Sequence, residues 1–425
     1  MSSRFISPFL VLSFLVLSGT QSFSQSKSIT LSNRSSLALK DRAISISRFS
    51  LAHADDGKFP LILTASGDTI PSQLDDVDGD MKWDELFFVV NLAPKAKLKL
   101  SLNWVNFVPE FSKRTSVRFG KRSSANSPVK PKVADTAYID EMPKKIGYQP
   151  YQTDGPSWEN DKVGFRHYFD GRNAKDLFGK RVSWMSPETV GLTVQGAVED
   201  NYHVLLNWGR DVLPVGNSIG LGGIALLVKD SLARLGVTVN DTKNNVQSTS
   251  FHIYSEGPVR SVINFHYSDW KTQGRTYQVN ETPKIWPGMY AYQNTVSFSG
   301  LKGDETLLVG LPDVANDKQL TEFTVGDWTV IYTHDKQSYN KEFWLGLALI
   351  LPKKAYQGSF DAPLTGKLST TYLAKLKVEE QKPVTYYAVG GWELADPGFI
   401  NPEYFRSYVT SLTEQLSAKV KVKIN

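Results

Sequence analysis

The sequence predicts a mainly β protein in which a small N-terminal β-sandwich precedes a large antiparallel β-sandwich, with one C-terminal helix. Three observations predict this fold: short apolar segments separated by turn residues, alternation of apolar and polar residues, and a single segment with helical spacing. The chain has 425 residues, more than one hydrophobic core usually serves, so we expect two domains. No internal repeat of about 20–50 residues is visible, which argues against a propeller or a solenoid.

Residues 1–24 have the pattern of a cleaved secretory signal. Arg4 precedes an apolar stretch, 9–17, and small residues follow it up to Ser24. The apolar stretch is about half of the roughly 20 residues that span a bilayer, so a retained membrane anchor is not expected. A lipoprotein signal would need a cysteine after the cleavage point, and the sequence has none. The sequence therefore predicts a periplasmic or secreted protein that is not a lipoprotein and has no disulfide bonds.

Residues 25–125 are predicted to form the small sandwich. Their short strand-like segments, separated by turn residues, are 28–31, 43–49, 60–64, 85–91 and 97–105. This spacing is typical of a small antiparallel sandwich. A stretch rich in Ser, Lys and Pro, 123–132, marks the predicted boundary with the second domain.

Residues 126–425 are predicted to form the large sandwich. In 290–298, aromatic and apolar residues alternate with small polar ones, which indicates a strand with one face in the core. The nearly unbroken apolar run 343–351 suits a central strand. Near the end of the chain, Asn401 can cap a helix that begins at Pro402. This helix is predicted to pack on the sheet.

The composition narrows the possible partners. The formal net charge is only +5, and a nucleic-acid partner is not expected because such proteins carry a stronger basic field. Aromatic residues make up 12% of the chain. Such rings can stack on sugars, but the cores of β proteins also favour them, so the composition leaves both roles open.

A polar and aromatic segment, 148–181, is predicted to line a ligand cleft because it has no apolar face to bury. Its candidate binding and catalytic residues are Trp158, Glu159, Arg166, Tyr168 and Arg172. Aromatic rings beside charged groups suit a polar ligand, although a solvated loop is the alternative.

A second polar cluster, 201–211, contains His203, whose side chain suits a general acid or base as well as a structural hydrogen bond. We expect the two clusters to share one cleft. The residues expected to converge there are Trp158, Arg166, Arg172, His203, Trp208 and Asp211. The alternative is a bracing network in which Arg166, Asp170, Arg172 and Asp176 pair with one another.

The segment 386–393 is predicted to be a strand that runs into a glycine corner. This corner would present Trp392 to a substrate and Glu393 as a base, or Glu393 would simply cap the neighbouring turn.

A structural calcium ion is the one cofactor that the sequence suggests. The alternate aspartates that could converge on it are Asp76, Asp78, Asp80 and Asp84. Met81 stands where such loops usually have glycine, and Asp-Gly also marks a plain hairpin turn, so both interpretations stay open. No two histidines have the i, i+4 spacing of a helical zinc motif, so zinc is not expected.

The residues of these clusters resemble those of a family catalogued as domain of unknown function 4861. The resembling residues are Gly155, Pro156, Trp158, Glu159, Asp161, Lys162, Val163, Gly164, Arg166, Tyr168, Asp170, Arg172, Asn173, Asp176, Gly179, Lys180, Tyr202, His203, Trp208, Gly209, Asp211, Val215, Gly216, Gly391, Trp392 and Glu393. The resemblance implies an exported protein that is encoded beside polysaccharide-degrading enzymes. The strand pattern is also similar to the galactose-mutarotase-type supersandwich, which sugar epimerases and lyases share, although a fold alone does not assign a function.

This resemblance and the polar cleft lead us to expect a protein that acts on an oligosaccharide or polysaccharide containing uronate, by elimination or hydrolysis. Elimination needs a cation, Arg166 or Arg172, and a base, His203 or Tyr168. Hydrolysis needs two carboxylates, and the candidates are Glu159, Asp161, Asp211 and Glu393. Two alternatives stay open: a glycan-binding protein without catalysis, and a mutarotase-like epimerase with His203 as acid and Glu393 as base.

Overall fold

The computed structural model describes residues 24–51, 57–77, 79–141, 150–315 and 317–425. The predicted signal lies outside these ranges except for Ser24, so it stays a prediction. Within them, no helix combines the length and the apolar character that crossing a membrane requires.

The strands and helices alternate with short loops. The first strands in chain order are β1 (Ser24–Asn33), β2 (Leu39–Ser47), β3 (Phe59–Leu63), β4 (Thr69–Ile70), β5 (Ser72–Asp75), β6 (Glu85–Leu92), β7 (Lys97–Val105), β8 (Thr115–Arg118), β9 (Gly120–Lys121), β10 (Lys130–Pro131), β11 (Ala134–Tyr138), β12 (Ser157–Asn160), β13 (Val163–His167), β14 (Lys175–Lys180) and β15 (Gly209–Asp211). The remaining strands are β16 (Ile224–Val228), β17 (Ser231–Arg234), β18 (Val246–Glu256), β19 (Ser261–Thr272), β20 (Arg275–Ile285), β21 (Ala291–Ser299), β22 (Glu305–Pro312), β23 (Thr321–Val325), β24 (Trp328–Asp335), β25 (Leu345–Pro352), β26 (Tyr356–Asp361), β27 (Thr371–Lys377), β28 (Val384–Trp392) and β29 (Val420–Ile424). The helical segments are the α-helix α1 (Pro402–Ser417) and the 3₁₀ turns Arg48–Leu51, Gln152–Asp154, Asn201–His203, Tyr339–Lys341 and Pro397–Ile400.

The small sandwich packs a five-stranded sheet, in the order β29-β1-β7-β3-β4, on a three-stranded sheet, in the order β2-β6-β5. Its core contains Ile29, Phe88 and Leu102, all of which are fully buried. The last strand, β29, pairs antiparallel with β1 and sets Ile424 opposite Ile29. The C-terminal segment therefore returns to the small sandwich after the large one is complete.

The large sandwich is built from three antiparallel sheets. A nine-stranded sheet, in the order β11-β18-β19-β20-β21-β28-β25-β24-β23, packs on two five-stranded sheets. The orders of these two sheets are β15-β14-β13-β12-β8 and β17-β16-β22-β27-β26. Strand β21 buries alternate side chains and β25 buries nearly all of its own, as their patterns predict. The predicted class, a large antiparallel supersandwich behind a small sandwich, is confirmed.

The observed division between the sandwiches differs from the predicted boundary at residue 125. Strand β8 already pairs with β12 of the large sandwich, with Val117 opposite Trp158. The stretch rich in Ser, Lys and Pro joins β9 to β10 inside the large sandwich rather than linking two domains. The assignment of each strand to a sandwich depends on its pairing with distant segments, and the local composition of the sequence does not indicate that pairing.

Helix α1 begins and packs as its sequence predicts. The Asn401 side-chain oxygen accepts hydrogen bonds from the backbone N–H groups of Glu403 and Tyr404. The buried face includes Phe405 and Val409 and lies on the nine-stranded sheet. Phe405 packs directly on Gly346, and a Cβ atom added to this glycine would lie 2.5 Å from the Phe405 ring.

Candidate functional site

The five-stranded sheet that contains β12, β13, β14 and β15 carries both polar clusters of the sequence. Because side chains alternate along a strand, Phe165 and His167 of β13 point to the core, whereas Arg166 points to the outer face. Trp158 stands opposite Phe165 in the register and shares the inner face. The sheet therefore separates the predicted site residues into two groups.

Trp158, on the inner face, is only 1% exposed. Its ring packs 5.4 Å from the ring of Tyr292 and 6.1 Å from that of Phe165. Trp208 and Trp392 are buried as well, and Trp392 occupies the space that a side chain at Gly179 would need. The prediction that these three residues contact a substrate is corrected, because burial leaves none of their indole rings an exposed face. The polar residues beside them in sequence conceal that they belong to the core.

On the outer face, Arg166 lies at the centre of a buried charge network. Its Nη2 donates hydrogen bonds to Asp211 Oδ2 at 2.8 Å and to the Tyr168 hydroxyl at 2.7 Å, and it also contacts Asp176. The Tyr168 hydroxyl donates to Asp176 Oδ2 at 2.8 Å, and burial raises the pKa of Tyr168 well above its ordinary value. Arg166 is fully buried. The predictions that Arg166 binds a substrate carboxylate and that Tyr168 is a base are therefore corrected: both residues hold the network together.

Arg172 belongs to the same network. Its Nε donates to Asp170 Oδ2 at 2.7 Å, and its guanidinium lies 3.6 Å from the centre of the Tyr168 ring. The pairs Arg166–Asp176 and Arg172–Asp170 are those of the bracing alternative, and they lie within the large sandwich rather than between the sandwiches. In this arrangement Arg172 does not present an exposed cation, so its predicted substrate-binding role is not supported.

Glu159 is also a structural residue. Its carboxylate pairs with Lys180 Nζ at 2.5 Å and accepts hydrogen bonds from the backbone N–H and the hydroxyl of Ser186. Both ionic side chains are buried. The predicted substrate contact of Glu159 is corrected, because this closed set of partners occupies the carboxylate.

The two clusters meet on the outer face, but the predicted cleft shared by all six residues is wrong, because Trp158 lies on the inner face. The Tyr202 hydroxyl donates to Asp154 Oδ2 at 3.2 Å, and His203 Nδ1 lies 3.6 Å from Asp211 Oδ2. The Trp208 ring packs 6.0 Å from the ring of Phe178 and helps to seal this contact. Asp211 is thus not a substrate-binding residue but the link between His203 and the Arg166 network.

His203 combines a buried edge with an exposed one. The side chain is 38% exposed, whereas its Nδ1 is buried against Asp211. The opposite edge of the imidazole, which carries Nε2, therefore faces the surface. Burial, followed by the nearby charge of Arg166, lowers the pKa of His203.

The pKa of Asp211 is shifted in the opposite direction. Burial and the neighbouring carboxylate of Asp176 raise the pKa of Asp211 from 3.8 to about 8, although Arg166 opposes the shift. The raised pKa favours the protonated form of the Asp211 carboxyl, and the lowered pKa of His203 favours the uncharged form of its imidazole. Two groups whose pKa values are shifted in opposite directions therefore stand side by side, without a hydrogen bond between them, an arrangement common at functional sites.

Residues that the sequence did not indicate complete the surface around His203. The Tyr339 ring lies 5.6 Å from the His203 ring, and the Arg210 guanidinium lies 5.7 Å from the centre of the Tyr339 ring. Arg210 Nη1 donates to Glu342 Oε2 at 2.8 Å. We call these four residues, His203, Arg210, Tyr339 and Glu342, the His203 patch.

The loop of Tyr339 and Glu342 is far from His203 in sequence. The backbone N–H of Tyr339 bonds to the carbonyl of Val212, and this contact fixes the loop beside β15. Positive φ angles at Asn340 and Lys341, 59° and 55°, give the loop a tight turn. Neither feature is visible in the sequence alone, which shows here only a polar turn.

Glu393 lies just beyond the end of β28 and is partly buried. Its backbone N–H donates to the carbonyl of Trp344 at 3.1 Å. Among the contacts of the described residues, none joins its carboxylate to the His203 patch. Its predicted role as a base stays a prediction.

The aspartate loop has the hydrogen bonds of a turn. Asp76 accepts from the backbone N–H groups of Gly79 and Met81, and Asp84 accepts from that of Val77. Asp80 accepts from Lys82 in the same way. No three acidic or histidine side chains of the described ranges form a group that could hold a metal ion, and Asp78 lies outside those ranges. The geometry of Asp76, Asp80 and Asp84 thus gives the calcium prediction no support.

Comparison with known proteins identifies similar chains. A family model described as "Domain of unknown function (DUF4861)" matches residues 31–422. "Uncharacterized protein P7" of Formosa agariphila is 24% identical over 294 residues, which cover 65% of this chain and 69% of that protein. An alpha-mannosidase from Enterococcus faecalis V583 is similar in structure, with a TM-score of 0.48, 9% identity, and coverage of 94% of this chain and 46% of its own. A glycosyl hydrolase family 38 protein from Enterococcus faecalis gives a TM-score of 0.48, 8% identity, and coverage of 94% and 47%. The chain spans about half the length of these two solved structures.

Proposed function

We propose that this chain, which belongs to the family described as domain of unknown function DUF4861, is an exported enzyme that acts on acidic oligosaccharides by proton transfer at His203. One observation carries the proposal: the imidazole turns one edge to the buried Asp211 and the other to the surface beside Tyr339 and Arg210. The signal pattern of residues 1–24 supports export.

Elimination is the reaction that suits this patch best. In the proposed step, His203 Nε2 removes the proton from the carbon next to a sugar carboxylate, and the electron pair of that C–H bond forms a carbon–carbon double bond. The glycosidic C–O bond breaks, and the leaving oxygen takes a proton from the Tyr339 hydroxyl or from water. Arg210 is 8% exposed and paired with Glu342, so in the proposed step its positive charge would act on the sugar carboxylate through space, rather than by direct contact, and favour ionisation of the carbon acid. Arg210 thus replaces Arg166 as the proposed cation.

Hydrolysis suits the patch less well. It needs two carboxyl groups that both reach the sugar, about 5–9 Å apart. Asp176 and Asp211 are buried and bound to Arg166, so Glu342 is the carboxylate that this patch exposes. The alternative of a glycan-binding protein without catalysis is also less favoured. Binding alone requires no group with a perturbed pKa, whereas this patch contains one.

The proposal is tested with the purified protein and a panel of uronate oligosaccharides, by following the ultraviolet absorbance of the unsaturated product. We expect the His203→Ala variant to lose at least about 100-fold in turnover, the usual worth of a general base. The His252→Ala variant, which removes an exposed histidine of β18, should keep the full rate. Equal rates in the two variants, or products without a double bond, would overturn the proposal.

A further inference from the structure

A cavity lies where the small sandwich, the loop before β21 and helix α1 meet. Its volume is about 490 Å³, which can hold a short oligosaccharide. Lys40 and Arg42 of β2 form one wall, and Lys162 and Trp286 of the large sandwich face it. We call this cavity the interdomain pocket.

The interdomain pocket carries an excess of positive charge. Its cations are Lys40, Arg42 and Lys162, and the two carboxylates of its wall already have partners. Asp41 pairs with Arg114 at 2.7 Å. Asp396 accepts hydrogen bonds from the backbone of Gly398 and from the hydroxyl of Tyr404. The wall thus carries three positive side chains against two negative ones, an excess of one charge.

Arg42 is the most informative of these cations. Its Nη1 donates to the carbonyl of Gln415 at 2.8 Å. In the part of the chain that the structure describes, its Nε is buried without a hydrogen-bond partner. Burial also lowers the pKa of Arg42. Because Nε has almost no solvent-accessible surface, an anion in the pocket would interact with the positive charge of the guanidinium rather than accept a hydrogen bond from Nε.

The rings of the pocket suit a sugar. Trp286 is partly exposed, and Lys162 Nζ lies 5.8 Å from the centre of the Tyr290 ring. The Tyr408 hydroxyl accepts a hydrogen bond from the backbone N–H of Tyr290 at 2.7 Å and fixes the floor of the pocket. An amphipathic indole beside cations is the combination that binds an acidic sugar ring.

We propose that the interdomain pocket binds the anionic group of an acidic saccharide, with Arg42 and Lys162 on its charged oxygens and Trp286 on its ring. The choice of a saccharide rests on the proposed function of the His203 patch, whereas the choice of an anion rests on the pocket itself. Carboxylate and sulfate ester groups share the chemistry that these cations recognise. The pocket is a binding site and adds no catalytic group.

The test measures binding by calorimetry with the full-length His203→Ala protein, so that turnover does not interfere. The probes are trigalacturonate, a sulfated galactan oligosaccharide of similar length, and maltotriose as the neutral sugar. We expect one or both anionic probes to bind, more weakly at high salt, and maltotriose not to bind measurably. Binding of trigalacturonate alone would identify a carboxylate site, and binding of the sulfated probe alone a sulfate site.

The Arg42→Gln and Lys162→Gln variants, each made in that background, should weaken binding about tenfold or more, because each removes a charged hydrogen bond. Lys353→Gln, which removes an exposed lysine outside the pocket, is the matched control and should bind normally. Equal affinity for maltotriose, or unchanged binding in both pocket variants, would overturn the inference. If anionic probes bind at the pocket but the parent protein turns over no acidic sugar, the proposed function fails and the pocket stands.

Discussion

His203, Asp211 and Arg166 show how burial divides a polar cluster into residues that meet solvent and residues that position them. Arg166 is fully buried, whereas 38% of the His203 side chain is exposed. Asp211 connects the two, and its partner Arg166 keeps its orientation fixed. His203 is therefore the group of this network that a substrate can reach from the surface.

The ionisation of Asp211 predicts a pH-dependent stability. Because folding raises its pKa from 3.8 to about 8, the folded protein binds the proton more tightly than the unfolded chain. This contribution to stability is complete below the unfolded pKa and is lost as the pH rises through about 8. We expect the melting temperature to fall less steeply over this range in Asp211→Asn, which cannot ionise, than in the parent protein. The exposed-site variant Asp230→Asn should follow the parent, and equal slopes in all three proteins would contradict the assignment.

At the residue scale, the sequence predicted that the segments around Arg166 and His203 would meet, because neither has an apolar face. It did not predict that Trp158 points inward. The direction of this side chain depends on which alternate residues of the strand face the core, and the polar residues beside Trp158 conceal that alternation. It also could not supply Tyr339, which reaches His203 only through the fold of a distant loop.

At the element scale, helix α1 depends on glycines in the sheet beneath it. Phe405 packs where Gly346 of β25 and Gly391 of β28 have no side chains. The helix cap and the apolar face were visible in the sequence, as Asn401 and Phe405 show. The need for glycine beneath the Phe405 ring was not visible in the sequence, because this need arises only when the helix packs on the sheet.

The substitution Gly346→Ala should lower the free energy of unfolding by about 1–3 kcal/mol, the usual cost of overpacking a core. The new methyl group would lie 2.5 Å from the Phe405 ring, which must move. Chemical denaturation measures the loss. The double variant Gly346→Ala, Phe405→Leu should cost less than the sum of its two single changes, because the smaller side chain leaves room. Strict additivity would show that the two positions do not contact.

At the scale of the whole molecule, Arg260 joins the two sandwiches. Its Nε donates to Asp75 Oδ2 at 2.6 Å, its Nη2 donates to Glu85 Oε2 at 3.0 Å, and its guanidinium lies 4.2 Å from the centre of the Phe87 ring. Asp75, Glu85 and Phe87 belong to the small sandwich, whereas Arg260 immediately precedes β19 of the large one. Together with β29, this contact makes the small sandwich dependent on the large one.

The variant Arg260→Ala should therefore destabilise the protein by about 3–5 kcal/mol, because it leaves the buried Asp75 carboxylate without its cation. We expect calorimetry to resolve a separate, earlier transition for the small sandwich. The variant Lys382→Ala, which breaks a surface ion pair with Glu379, should leave the melting profile nearly unchanged. A single unshifted transition in Arg260→Ala would show that this residue does not couple the sandwiches.

The class of the fold was predictable because strand alternation and turn spacing are local properties of the sequence. The boundary near residue 125 was not, because β8 and β29 join their sheets through pairing with distant strands. The interdomain pocket arises from the same long-range arrangement, since Arg42 and Lys162 are 120 residues apart in sequence.

The dependence of kcat/KM on pH tests the role of His203 most directly. A base must be uncharged to accept a proton, so activity on an acidic oligosaccharide should fall as the pH drops through the pKa of His203 in the free enzyme. Because burial and Arg166 lower that pKa, the midpoint should lie below the ordinary value of 6.5. The predicted result is one acid limb with a midpoint below 6.5 in the parent protein and in His252→Ala. A midpoint at or above 6.5, or a rate that does not fall in acid, would contradict the assignment of His203 as the base.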